Sequence, residues 1–147
     1  VLQRADRLGI PSLVFGRQQF YESYFVDEFL EEHDVEVIVL AGFLWLFPER
    51  LVERYTIINI HPALLPKFGG KGMYGDRVHR AVVEQGETES GITIHLVNKN
   101  YDEGHVLFQA KCPVMPTDTA DDVAHKVHQL EYEHFPRVIA EVLRSTL

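Results

Sequence analysis

The sequence predicts an α/β protein built on an open, mostly parallel sheet with flanking helices and a C-terminal antiparallel hairpin. Three observations predict it. Val35–Phe43 (VEVIVLAGF) and Thr56–His61 (TIINIH) are apolar runs of the kind found in strands buried on both faces, as parallel strands are. A helix-patterned segment lies between them, and strand, helix, strand implies a right-handed crossover. Later, Gly91–Val97 (GITIHLV) and His105–Val114 (HVLFQAKCPV) are strands joined by the short NKNYDEG, which favours a hairpin.

Taken in order, the chain opens on VLQRADRLGIPSLVF, with neither Met nor a signal-peptide pattern, and reads as the second half of a helix capped by Gly9. Ser12–Phe15 (SLVF) is a short strand candidate. Tyr21–His33 follows as a helix, with Phe25, Phe29 and Leu30 set among acids. After the Val35–Phe43 strand, Pro48–Tyr55 is a short helix with Pro in its first turn, and Thr56–His61 is the next strand. Residues 62–75 (PALLPKFGGKGMYG) carry two prolines and four glycines and form the longest irregular stretch, a length that in a compact domain is usually functional. Asp76 to about Gln85 is a helix, the hairpin comes next, and Thr119 caps a last helix to about Leu143. Its apolar stripe runs Val123, Val127, Leu130, His134 and Val138, with Asp121 and Asp122 in the first turn.

With 147 residues the chain reads as a single domain, 1–147, able to bury roughly two thirds of the surface its unfolded form exposes. It is 46% hydrophobic and 24% charged, with no apolar run near the ~18 residues that cross a bilayer. A formal charge of −8 without a basic block argues against a nucleic-acid backbone as partner and for a small molecule. Cys112 is the only cysteine, so no intrachain disulfide forms, and a reducing, cytoplasmic setting fits best; the thiol reads as a small buried hydrophobe. Oligomeric state is not legible.

The chemistry gathers at Ile58–Pro62 (INIHP). Side chains alternate along a strand, so Asn59 and His61 share one side and Ile58 and Ile60 the other, at the carboxyl end of a parallel strand, where open α/β sheets place ligands. An Asn and a His there also fit local hydrogen bonding alone. His95 in the first hairpin strand and Asp102 in its turn change the balance, because a hairpin lying beside the strand lets Asp102 reach His61. An amide donor, an imidazole and a carboxylate suit acyl transfer to an amine: the first two stabilise an oxyanion and the third holds the imidazole charged.

VIVLAGFLWLF, INIHPALLPKF, GITIHLVNKNYDEGHVLFQ and VHQLEYEHFP resemble the successive motifs of the phosphoribosylglycinamide formyltransferase family, across nearly the whole chain. The resemblance implies a Rossmann-like formyltransferase fold and transfer of a formyl group from 10-formyltetrahydrofolate, a co-substrate, to the amine of glycinamide ribonucleotide, the third step of purine synthesis. It assigns catalysis to Asn59, His61 and Asp102. It assigns folate binding to Leu44, Trp45, Leu46 and Phe47, to Asn59, and to the hairpin loop from Val97 through Asn100, Tyr101 and Asp102. Ribonucleotide contacts fall on Pro62, His128 and Glu131. No metal is implied.

Plainer readings stand beside these. Leu44–Phe47 also fit an ordinary hydrophobic cap. His125 and His128, three apart on a helix, have no third metal ligand at the usual spacing and read as a solvated face. The chain departs from the family in having Trp45 where Arg is frequent, Ala63 where Ser usually follows HP, His128 where Lys or Gln is common, and a longer 67–75 loop. The family's opening strand and glycine-rich phosphate loop have no counterpart here, so the expectation is a formyltransferase domain lacking its N-terminal strand and phosphate-binding loop. Other folate-dependent enzymes share Asn, His and Asp: a deformylase, or a methionyl-tRNA or nucleotide-sugar formyltransferase. Pro62 stands where deformylases usually have a second His, and the acidic balance disfavours tRNA. A non-catalytic α/β module is the remaining alternative, against which stands the retention of all three residues.

Overall fold

Strands buried on both faces need ladder partners at both edges and apolar cover above and below. Thr56–His61 is paired on both sides, whereas Val37–Leu40, expected to be buried on both faces, is paired on one side only among the described residues and leaves Val39 exposed. The computed structural model describes residues 1–146. Its contacts divide the chain into two compact units, Val1–Glu36 and the chain from Val37 onward.

The first unit holds three short helices, α1 (Leu2–Arg7), α2 (Arg17–Glu22) and α3 (Phe25–Glu32). Gly9, at φ +66°, closes α1: its N–H reaches Asp6 O, and the Ile10 N–H reaches Ala5 O. Two expectations are corrected here. Ser12–Phe15 is not a strand, because a short, largely apolar segment becomes one only where another strand offers ladder partners, and among the described residues β-pairing is confined to Val37 and beyond. The Tyr21–His33 helix is broken at Ser23, whose extended backbone is held by its own hydroxyl. That Oγ donates to Gln19 O at 2.7 Å and accepts from Phe25 N at 3.3 Å, a local bonding pattern that competes with the helical ladder. Phe20 is fully buried, with the rings of Phe15 and Tyr21 against it.

The second unit is an α/β arrangement of β1 (Val37–Leu40), α4 (Glu49–Arg54), β2 (Thr56–His61), α5 (Asp76–Glu84), β3 (Glu89–Leu96), β4 (Val106–Pro113) and α6 (Ala120–Thr146). The strands lie in the order β1-β2-β3-β4 in one open, mixed sheet. β1 and β2 pair in parallel, and β3 runs antiparallel to both β2 and β4. The parallel share is smaller than the sequence suggests because the hairpin docks directly on β2. β1 is also shorter than its apolar run, since the chain leaves the ladder at Ala41 and turns through Gly42 at φ +71°.

α6 covers the sheet with the expected stripe: Val123, Val127 and Val138 are buried, and Leu130 and His134 half-buried. Val123, Val127, Val138 and Leu130 meet Ile58, Ile92, Ile94 and Val82 in one core, each buried aliphatic side chain contributing roughly 1.5–3 kcal/mol when withdrawn from water. Cys112 belongs to that core, and burial pushes its thiol up, away from reactivity. Thr119 caps α6 reciprocally: its Oγ1 accepts from Asp122 N at 3.2 Å, while Asp122 Oδ2 accepts from Thr119 N at 2.9 Å. Among the described residues no helix is long and apolar enough to cross a membrane.

Candidate active site

Asn59 and His61 stand on β2 next to the segment where the chain leaves the sheet, and their cross-strand partners on β3 are His95 and Thr93. The β3–β4 turn then folds Asp102 back to them, with Asp102 itself at φ +53°, a left-handed conformation that Asp tolerates better than most residues. Asn98 shapes this turn: its side chain accepts from Asn100 N at 2.8 Å and donates to Glu103 O at 3.2 Å.

The three residues expected to converge do so. His61 Nδ1 lies 3.6 Å from Asp102 Oδ1, and His95 Nε2 lies 3.7 Å from the same oxygen. Asn59 Nδ2 is 3.2 Å from His95 Nε2. The second Asp102 oxygen accepts from Gly70 N at 3.0 Å, which ties the hairpin turn to the 62–75 loop. On its far side, His61 Nε2 meets Phe68 O at 2.7 Å. A carbonyl only accepts, so Nε2 carries a proton. Phe68 is held at φ +57°, an unfavourable backbone for a bulky residue, while its side chain packs against the core.

The electrostatics correct one expectation. Burial is the largest influence on His61 and lowers its pKa; Asp102 and the Phe68 carbonyl act upward without overcoming it, and His95 acts downward. His61 is therefore neutral at neutral pH in the free protein. Burial alone acts to raise the Asp102 pKa, but the contact with His95, the charge of His61 and the Gly70 N–H together hold it below the ordinary carboxylate value, so Asp102 is ionised. A neutral His61 protonated on Nε2 turns the bare Nδ1 toward a carboxylate, which accounts for a 3.6 Å separation, too long for a hydrogen bond.

The segment expected to bind folate follows β1. Phe43 packs edge-on against Trp45 at 5.9 Å and Phe47 at 5.1 Å; Phe47 is buried, Trp45 and Leu46 half-buried, and Leu44 exposed. In the other half of that expected site, Val97 extends the β2–β3 ladder through its N–H to Ile57 O, Asn100 is exposed and Tyr101 half-buried. Pro62 is half-buried directly after His61. On α6, His128 is exposed and Glu131 half-buried, and burial pushes the Glu131 carboxyl up while His128 draws it down. His128 lies edge-on to the buried His79 of α5, ring centroids 6.4 Å apart, and His79 in turn feels the charges of His128 and His61. Among the described residues no group of three or more His, Cys, Asp or Glu is arranged to hold a metal ion.

Sequence reasoning brought His95 to the site without giving it a role, and left three contributors out: the carbonyl of Phe68, the N–H of Gly70, and His79. His95 carried a signal in its polar place on an apolar strand. The Phe68 and Gly70 groups are backbone, and only the paired glycines Gly69 and Gly70 hinted at a chain bent for a purpose. Together the residues offer donors from Asn59 and His61 beside an anion, Asp102, that favours positive charge on the imidazole. Such a set stabilises negative charge developing on a carbonyl oxygen under attack.

Residues 1–139 match the family model described as formyl transferase. A chloroplastic phosphoribosylglycinamide formyltransferase of Arabidopsis thaliana is 42% identical over 95% of this chain and 50% of its own length. The phosphoribosylglycinamide formyltransferase of Haemophilus influenzae is 35% identical over 94% of this chain and 66% of its own. The crystal structure of the Anaplasma phagocytophilum phosphoribosylglycinamide formyltransferase superposes with a TM-score of 0.85 at 32% identity, over 98% of this chain and 69% of that one. The chain thus spans about half the length of the plant relatives it matches.

Proposed function

The chain belongs to the formyl transferase family, and on that premise we propose that it carries the site for transferring a formyl group from 10-formyltetrahydrofolate to the amine of glycinamide ribonucleotide, in a cytoplasmic setting. The observation that carries this reading is the meeting of Asn59, His61 and Asp102 around one point at the end of β2.

In the proposed reaction the amine nitrogen attacks the formyl carbon and a C–N bond forms. The carbonyl oxygen becomes an oxyanion, bound by an Asn59 N–H and by the His61 Nε2–H once the substrate oxygen takes the place of Phe68 O. Neutral His61 is already a donor in its Nε2–H form, so substrate binding needs no charge. As negative charge grows on the oxygen, a proton on Nδ1 becomes favourable, and Asp102 stabilises the imidazolium. Collapse breaks the bond from the formyl carbon to the folate nitrogen, and that nitrogen takes the proton the amine gives up.

The aromatic group after β1, with Trp45 and Phe47, and the Val97–Asp102 loop are the proposed folate contacts. Pro62, His128 and Glu131 are the proposed ribonucleotide contacts, the half-buried Glu131 carboxylate suiting ribose hydroxyls. The chain reads as one formyltransferase domain within this proposal.

The test is direct assay of formyl transfer with both substrates, following formylglycinamide ribonucleotide by mass. Trp45 is the only tryptophan, so its fluorescence reports folate binding separately. Quenching on addition of a folate analogue, together with product formation, supports the proposal. Folded protein that neither quenches nor forms product sinks it.

A further inference from the structure

Two imidazoles flank one carboxylate oxygen. Asp102 Oδ1 is nearly equidistant from His61 Nδ1 and His95 Nε2, at 3.6 and 3.7 Å. His95 is 2% exposed and sits directly opposite Asn59 in the β2–β3 register. Its Nδ1 lies 3.2 Å from Leu96 O, an acceptor only, so Nδ1 carries the ring proton of neutral His95. Nε2 is then bare and accepts an N–H from Asn59 at 3.2 Å. An amide nitrogen has two N–H bonds. With one held by His95, the other is presented from a side chain that no longer rotates.

We propose that His95 is a positioning residue: it holds the Asn59 amide in its donor orientation and, sharing Asp102 with His61, limits the site to a single imidazolium. Protonation of His95 Nε2 reverses both effects. The nitrogen becomes a donor and turns to Asp102, the Asn59 N–H loses its acceptor, and the amide rotates to offer its oxygen instead. Asp102 is then engaged by the wrong ring. The competent state has neutral His95 and leaves the carboxylate free for His61. This deepens the formyl-transfer reading and rests on it for its catalytic meaning.

The surroundings leave that contest to one anion. Asp102 faces the pair from the hairpin turn, and His61 from β2. From α5, His79 stands near His61 with Asp76 acting on it, and beyond it on α6 stand His128 and Glu131. On β4 the residue opposite His95 is the uncharged Val106. A charge on His95 opposes one on His61, in the same direction as burial.

The test is an NMR titration of the histidine ring nitrogens and the Asn59 side-chain amide in the 147-residue chain, comparing wild type with His95→Gln and His95→Leu. It needs no substrate, so its failure is separable from failure of the proposed reaction. In wild type the Asn59 amide signals should move as His95 takes a proton. In H95Q, which keeps an acceptor oxygen and cannot charge, they should hold their neutral-pH positions throughout. In H95L they should show the loss of the hydrogen bond at every pH. The His61 midpoint should move to higher pH in both variants. Asn59 signals that follow pH equally in wild type and H95Q overturn the proposal, as does a His61 midpoint that stays or falls in both. If neither variant folds, the wild-type curves decide. There, Asn59 amide signals that stay fixed while the histidine ring signals change with pH overturn the proposal.

Discussion

His61 and Asp102 face each other across 3.6 Å without a hydrogen bond, because the one proton on neutral His61 is committed to Phe68 O on the other side of the ring. The pair is poised rather than formed: a second proton on the ring would close the gap, and charge developing on a bound carbonyl would supply the reason for it.

Asp102→Asn removes the anion while its amide oxygen can still accept from Gly70 N. Turnover in the formyl-transfer assay should fall roughly 10²- to 10⁴-fold, the scale of one acid–base element. Stability should fall by only about 1–2 kcal/mol, the loss of charge-assisted contacts. Full turnover in folded D102N excludes the role.

Burial lowers the pKa of both His61 and His79 from the ordinary 6.5. Above that value both rings are neutral in folded and unfolded chains alike and stability is unaffected by them. Below it the unfolded chain takes up protons that the folded chain refuses, so stability declines as pH falls and levels off only below the folded-state values. Asp102 has the opposite placement: its folded pKa lies under the ordinary 3.8, so its contribution is complete above that and is lost only in stronger acid. The urea midpoint should therefore drop between pH 7.5 and 5.5. His79 Nδ1 is buried without a hydrogen-bond partner, so His79→Leu should cost little at pH 7.5 and flatten the dependence. An equally steep H79L curve would remove His79 from the account.

What the sequence made legible was the part governed by local pattern. β2, α5 and the cap of α6 fall where their apolar periods and capping residues put them, and the Asn59, His61 and Asp102 convergence follows from strand alternation plus a short hairpin. The rest depends on partners far along the chain. Ser12–Phe15 has strand composition and no ladder. Helix Tyr21–His33 yields to a single hydroxyl at Ser23. The link from His95 to Asn59 exists only in the β2–β3 register, 36 residues apart, and Phe68 contributes a carbonyl that its side chain does not advertise. Neutral His61 was hidden as well, because the depth of burial that outweighs Asp102 is a property of the packed site.

Thr93, the cross-strand neighbour of His61, anchors the chain just after the candidate site. Its fully buried hydroxyl donates to Ala63 O at 2.7 Å and accepts from Leu65 N at 3.0 Å and Gln109 Nε2 at 2.9 Å. Thr93→Val keeps the shape and strands these groups, so denaturant unfolding should register a loss of about 1–3 kcal/mol, and Thr93→Ser considerably less. A valine variant as stable as wild type would mean that water replaces the hydroxyl and the anchor is dispensable.

Gly104 ends the turn that carries Asp102, and a Cβ there would fall inside the Leu96 carbonyl and lie 3.2 Å from His95 Nδ1. The obstruction is backbone of the paired strand, so it cannot swing aside; relief requires the hairpin to open at its tip, moving Asp102 with it. Gly104→Ala should cost about 3 kcal/mol or more, at the upper end of overpacking. Gly86 is the control: its φ of +66° makes alanine unfavourable, but nothing lies within 4 Å of the added carbon. Gly86→Ala should cost roughly 1–2 kcal/mol from backbone conformation alone. The two variants also differ at a distance, since only G104A should shift the NMR titration of His61. Equal losses with an unmoved His61 curve would show that the hairpin tip absorbs the methyl without disturbing Asp102.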